Sequence, residues 1–119
     1  MKYTKDHEWL RVEGDLVVVG ITEHAATALG DVVFVELPEV ETVVAEGDEV
    51  AVIESVKAAS DILAPTAGEI VAVNDLLVDS PGLVNEDPLG AGWFFKLKLD
   101  DMAVLDDFMD EDEYNELIG

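Results

Sequence analysis

Cysteine is absent from the 119 residues. That excludes disulfides, a thiolate nucleophile and zinc sites built on cysteine, and it fits a reducing compartment. Basic residues are scarce: six lysines and arginines face 28 aspartates and glutamates, for a net charge of -22. Such a chain repels nucleic acid and anionic lipid, so neither is an expected partner. The same charge favours solubility and steers encounters toward basic patches on other proteins. Long apolar runs are missing too. The strongest, Leu16-Val-Val-Val-Gly-Ile21, falls far short of a membrane span. The opening MKYTKDHEW lacks the apolar core of a signal peptide. The expected location is the cytoplasm of a bacterium or archaeon, with no targeting segment removed.

Half of the residues are hydrophobic, with valine, leucine and isoleucine plentiful, so a packed core is expected despite the charge. The length suits one domain over residues 1–119, with a core of about 3–99 and an acidic helical segment of about 100–119. No long apolar seam is evident, and a monomer is expected.

Most of the chain reads as strand. Glu8 to Val12 ends in the turn residues Glu13-Gly14-Asp15, and Leu16 to Ile21 reads as a strand buried on both faces. Thr22 is placed to cap a short helix, Glu23 to Leu29, with Gly30 as its stop. Further strands are expected at Val32 to Leu37, Val43-Val44, Glu49 to Val56, Ala59 to Leu63 and Glu69 to Asn74. Trp93 to Leu99 alternates most clearly. Asn85 to Gly92 reads as a loop. In the tail, Met102, Leu105 and Met109 stand at helical spacing, and Asp110 begins a last helix carrying Tyr114, Leu117 and Ile118. Gly47-Asp-Glu-Val-Ala-Val52 resembles Gly68-Glu-Ile-Val-Ala-Val73. That similarity suggests two related β halves joined by a hairpin with Lys57 near its tip.

Lys57 is the residue that asks for an explanation. It lies in Glu54-Ser-Val-Lys-Ala-Ala-Ser-Asp61, a mild apolar run with a carboxylate on each side. A lysine that acts as its own nucleophile needs a lowered pKa, and nearby carboxylates work against that. A lysine modified by another enzyme has no such need, and the small neighbours Ser55, Ala58, Ala59 and Ser60 would admit that enzyme. The plain alternative is a surface lysine in a turn. Little else points to catalysis. His7 and His24 are too far apart in sequence to suggest a pair, and no phosphate loop or dinucleotide fingerprint is present. The acidic run Asp106 to Glu113 lacks the central glycine of a calcium loop and reads as a solvated helix face.

Six motifs occur in order: Asp6-His-Glu-Trp9, Val19-Gly-Ile-Thr22, Leu29-Gly-Asp-Val-Val-Phe-Val-Glu-Leu-Pro38, Glu54-Ser-Val-Lys-Ala58, Leu83-Val-Asn-Glu-Asp-Pro88 and Gly92-Trp93. Together they make the chain, from about Tyr3 to Ile118, closely resemble the H proteins of the glycine cleavage system. The resemblance implies a mainly β fold, a lipoyl/biotinyl-type β-sandwich or flattened hybrid barrel. It adds a short helix after the second strand and one or two short C-terminal helices. It implies a non-catalytic carrier whose Lys57 holds lipoate in amide linkage. The implied partners are the pyridoxal-phosphate glycine decarboxylase (P protein), the tetrahydrofolate-dependent aminomethyltransferase (T protein), dihydrolipoyl dehydrogenase (L protein) and a lipoylating enzyme. The arm would carry the aminomethyl group of glycine from the first to the second and be reoxidised by the third. Glu54, Asp61 and Gly68 match positions tied to recognition by the lipoylating enzyme. Glu8, Asp61 and Asp6 match the cleft that shelters the loaded arm. Gly68 also has a plain reading as a turn glycine before a strand. Two residues depart from the family pattern: Glu41 where many relatives have glycine, so that turn is expected to differ, and Asp6 before His-Glu-Trp.

Other readings are less well served. A biotin carrier usually sets its lysine between methionines, whereas Val56 and Ala58 flank Lys57. A lipoyl domain of a 2-oxoacid dehydrogenase usually has aspartate before the lysine. A relative that only donates lipoate to other proteins, and an acidic binding module with an unmodified Lys57, stay open at this point.

Overall fold

A computed structural model describes residues 1–119. Nine strands form two antiparallel sheets. They are β1 (Lys2–Tyr3), β2 (Glu8–Glu13), β3 (Leu16–Ile21), β4 (Val32–Glu36), β5 (Val43–Val44), β6 (Glu49–Ser55), β7 (Ala59–Leu63), β8 (Gly68–Val73) and β9 (Phe95–Lys98). One sheet has the order β1-β2-β3-β9-β8-β5, the other β4-β6-β7. The sheets do not close into a barrel by continuous pairing. Helix α1 (Glu23–Leu29) carries the chain from one sheet to the other.

The apolar patterning explains the layers. Side chains alternate across a strand, so one face of each sheet turns inward. Leu10, Val17, Val19, Phe95, Leu97 and Ile70 from the larger sheet meet Val35, Ile53 and Ile62 from the smaller. Val18 is also fully buried, because the opposite face of β3 is covered as well. There Tyr3, Trp9, Val18 and Tyr114 form a second cluster under the C-terminal helix α4 (Glu111–Ile118). Gly20 pairs with Trp9, and a Cβ on it would lie 2.5 Å from the indole. A side chain at residue 20 would displace the ring.

Several expected elements shift. β1 was not anticipated, so α1 follows the third strand rather than the second. Leu76–Asp79 (α2) and Leu83–Glu86 (α3) are single helical turns, and the second intrudes on the expected loop. Each buries one residue, Leu77 and Val84, and each is too short for periodicity to reveal. The Met102–Asp107 segment is a 3-10 helix. Leu105 is buried and Met102 packs on the main core, but Met109 turns to the second cluster and exchanges backbone bonds with Tyr3. Phe108 is extended (ψ 159°) and separates the two. Asp110 and Glu113 form a capping box that starts α4 as expected. Tyr114 is buried in it, while Leu117 faces solvent. Glu41 keeps a left-handed turn (φ 71°) although it is not glycine.

Candidate functional site

Lys57 stands exposed at the tip of the β6–β7 hairpin. Glu54 pairs with Ala59, and the Ser55 N–H donates to the Ala58 carbonyl at 2.8 Å, leaving Val56 and Lys57 as the loop. Neither loop residue has positive φ, which two-residue hairpin loops usually need. Ser55 compensates. Its hydroxyl accepts from the N–H groups of Lys57 (3.2 Å) and Ala58 (3.1 Å) and sits 3.1 Å from the Ala58 carbonyl. The Val56 N–H donates to the Asp31 main-chain carbonyl at 3.0 Å, which fastens the tip to β4's entry. Ser55 is thus more than a small neighbour of the lysine, and its position at the start of the turn is the sequence signal for that role.

The lysine stem lies along Gly30, the C-cap of α1. A Cβ on Gly30 would come within 3.2 Å of Lys57 Cε. Gly30 is left-handed (φ 78°) and open, so it ends the helix and leaves room for the stem. Asn85 holds this corner: its amide donates to the Gly30 carbonyl at 2.7 Å, and its oxygen accepts from Val32 N–H at 2.8 Å. No carboxylate pairs with Lys57, since the structure's one ion pair joins Lys96 to Glu13 at 2.7 Å. Glu54 and Asp61 are sequence neighbours of the lysine without being its partners.

From Gly30 the wall of α1 continues as Leu29, Ala28 and Ala25 into a cleft of about 240 Å³. Ile21, Ile53 and Ile62 line its apolar side. Asp6, Glu8 and Asp61 line its polar side, with Ser60 and His7. The three acids proposed for one cleft therefore share it, and Ser60 joins them. Glu8 is the buried member, with 2 % of its surface exposed. Its carboxylate accepts from the Thr4 hydroxyl at 3.1 Å. Burial pushes its pKa up to about 7, and the nearby Asp6 charge adds to the rise against the Thr4 and Leu63 hydrogen bonds. Asp6 and Asp61 are exposed at the rim.

Glu54 is exposed on β6, three residues before Lys57. Gly68 is elsewhere. It opens β8 in the other sheet, opposite Val44, and a Cβ there would lie 2.8 Å from the Lys98 carbonyl. It is a close-approach glycine rather than a turn glycine. His7 and His24, distant in sequence, come together with ring centroids 4.9 Å apart and planes tilted by 42°.

Comparison with known proteins decides the family. The family described as "Glycine cleavage H-protein" matches residues 1–119. The chain belongs to the glycine cleavage H-protein family. A glycine cleavage system H protein of Thermus thermophilus is 60 % identical over 116 residues, covering 98 % of this chain and 91 % of that protein. One of Xanthobacter autotrophicus is 58 % identical over 118 residues, covering 99 % and 94 %. A crystal structure of a glycine cleavage system H protein from Mycobacterium marinum superposes with a TM-score of 0.89 at 41 % identity, covering 99 % of this chain and 95 % of that one. The chain is accordingly a lipoyl carrier of the glycine cleavage system, not a catalyst in its own right. No helix of this H-protein chain is long and apolar enough to cross a membrane.

Proposed function

We propose that Lys57 carries lipoate in amide linkage and that the cleft walled by α1 receives the loaded arm. The observation that carries this is the placement of Lys57. It is exposed at a pinned hairpin tip, with its stem against Gly30, the chain neighbour of Leu29 in the wall of an apolar cleft that also holds carboxylates. The residues fit the group. A thin aliphatic arm suits a wall of alanine, leucine and isoleucine, and its charged end suits Glu8, Asp6 and Asp61. When bound, lipoate supplies the dithiolane sulfurs that take up the aminomethyl group of glycine.

The chain's own residues do the rest. Ser55 and Asp31 hold the tip in one shape for successive partner enzymes. The apolar wall excludes water from the stem. Glu8 gives up its proton to the cleft's solvent when a protonated amine arrives, and its carboxylate then pairs with that amine. Glu54 and Asp61 are accessible for recognition by the lipoylating enzyme; Gly68 supports recognition through the packing of β8. The partners of the loaded and unloaded arm are the glycine decarboxylase, the aminomethyltransferase and dihydrolipoyl dehydrogenase of the same system. A bacterial or archaeal cytoplasm supplies all of them, and the chain acts as a single domain and as a monomer.

The test is intact mass of protein from lipoate-supplied cells, followed by peptide mapping, with Lys57→Arg alongside. One lipoyl mass on Lys57, lost in the variant, is expected. An unmodified Lys57 beside a control carrier that is fully lipoylated in the same cells would return the residue to a plain surface lysine.

A further inference from the structure

Glu8 is placed by a strained neighbour. His7 holds a left-handed backbone at φ 66°, which few non-glycine residues adopt. Such a conformation persists where its surroundings over-determine it. Three hydrogen bonds do so. The His7 N–H donates to the Thr4 carbonyl at 3.2 Å, and the His7 carbonyl accepts from Thr22 N–H at 2.9 Å. The third comes from the far end of the chain: His7 Nδ1 is 2.8 Å from the Tyr114 hydroxyl.

That hydroxyl is also 2.7 Å from Thr22 Oγ1, which accepts the cap bond of α1 from Ala25 N–H at 3.2 Å. The chain of bonds is self-consistent. Tyr114 accepts from Thr22 and donates to His7, which uses the hydrogens of both hydroxyls, or donates to Thr22 and accepts from His7; either pattern links all three groups. The Tyr114 ring stacks on Tyr3 with centroids 4.7 Å apart, so the phenol is fixed in direction. One buried side chain of the acidic C-terminal helix thus reaches the residue beside the buried cleft carboxylate.

We propose that Tyr114 and His7 are positioning residues for Glu8, locking the Thr4–Glu8 loop from the C-terminal helix so that the carboxylate faces the arm's amine. This rests on the carrier reading of the cleft. It gives α4 a task beyond presenting acidic residues to solvent. It also accounts for a histidine where the backbone would favour glycine: histidine tolerates the left-handed region and brings a ring nitrogen to the phenol.

The first measurement needs no arm. The Glu8 carboxyl is titrated by NMR in the unmodified protein, for wild type, Tyr114→Phe and Ile118→Ala. Ile118→Ala weakens the packing of α4 without touching the hydroxyl network. Around Glu8 stand Asp6 and His7 on its loop, Asp61 on β7, and Lys5, Glu46 and Asp107 on the opposite side. Neither Tyr114→Phe nor Ile118→Ala alters any of these. With Tyr114→Phe the loop opens to water and the Glu8 titration falls by about one unit or more, while Ile118→Ala leaves it in place. Lipoylated protein charged with the aminomethyl group should then lose ammonia faster than wild type, because the carboxylate is no longer held facing the amine. A folded Tyr114→Phe protein whose Glu8 titrates as in wild type overturns the proposal. Should that variant not fold, His7→Asn breaks the same bond from the other end while tolerating the backbone, and the same unmoved titration overturns it. A Glu8→Ala carrier that keeps its load as long as wild type overturns the cleft reading, and the proposal with it.

Discussion

A carboxyl group with 2 % of its surface exposed, as Glu8 has, pays for charge with lost hydration. Its folded value of about 7 lies above the ordinary 4.5, so between those pH values the folded state binds more protons than the unfolded chain. The contribution of Glu8 to stability is therefore fully present below about pH 4.5 and is lost as pH rises through about 7. The interval corresponds to roughly 3 kcal/mol at most. Glu8→Gln keeps the shape and the acceptor for Thr4 but removes the titration. Urea unfolding should find the variant close to wild type at pH 4 and about 1–3 kcal/mol more stable at pH 8. A stability difference that stays flat with pH would show that Glu8 titrates as an exposed acid. The price of that extra stability is the paired anion an arriving amine requires. The pairing of Glu8 with Asp6 and Asp61 was legible from the motifs. The hydrogen bonds that aim it were not, because Thr4, Thr22 and Tyr114 meet only after β1, α1 and α4 are docked.

At the scale of elements, the two matched hexapeptides show what local sequence reveals. Gly47 and Gly68 look equivalent, but Gly47 lies before β6 while Gly68 is the first residue of β8. Gly47 has φ 87° with open space around it, so it serves a turn. Gly68 is confined by the Lys98 carbonyl of the neighbouring strand. Only strand pairing tells these roles apart. Gly68→Ala should cost about 1–3 kcal/mol, the usual range for overpacking, and lower the thermal midpoint. Loss of lipoylation in that variant would then follow from damaged β8–β9 packing. A variant with unchanged stability and failed lipoylation would instead make Gly68 a contact of the modifying enzyme. The strands themselves were readable because the unbroken run Leu16 to Ile21 and the alternation from Phe95 to Lys98 match their burial, although Phe94, just before β9, breaks the alternation by being fully buried. The short turns α2 and α3 were not, since four residues carry no helical period. The tail's helical spacing misled for a related reason: Met102 and Leu105 belong to one core and Met109 to another.

The whole molecule adds a long-range term that no single contact contains. A charge of -22 on a body with a radius of gyration of 13.3 Å repels itself in the folded state more than in the expanded chain. One exposed ion pair, Lys96 to Glu13, offsets little of it. Salt should therefore stabilise the fold. As the Debye length shrinks from about 30 Å at 0.01 M to about 8 Å at 0.15 M, most of the repulsion across the molecule is screened. The thermal midpoint is expected to climb over that interval and then level off at higher sodium chloride. The same titration should slow association with a lipoylating enzyme whose contact patch is basic, because screening removes steering as it removes repulsion. Opposite responses to one variable separate the two roles of the charge. A midpoint that ignores salt while the association rate falls would assign the acidic surface to partner encounter alone. If neither responds, it would serve solubility only.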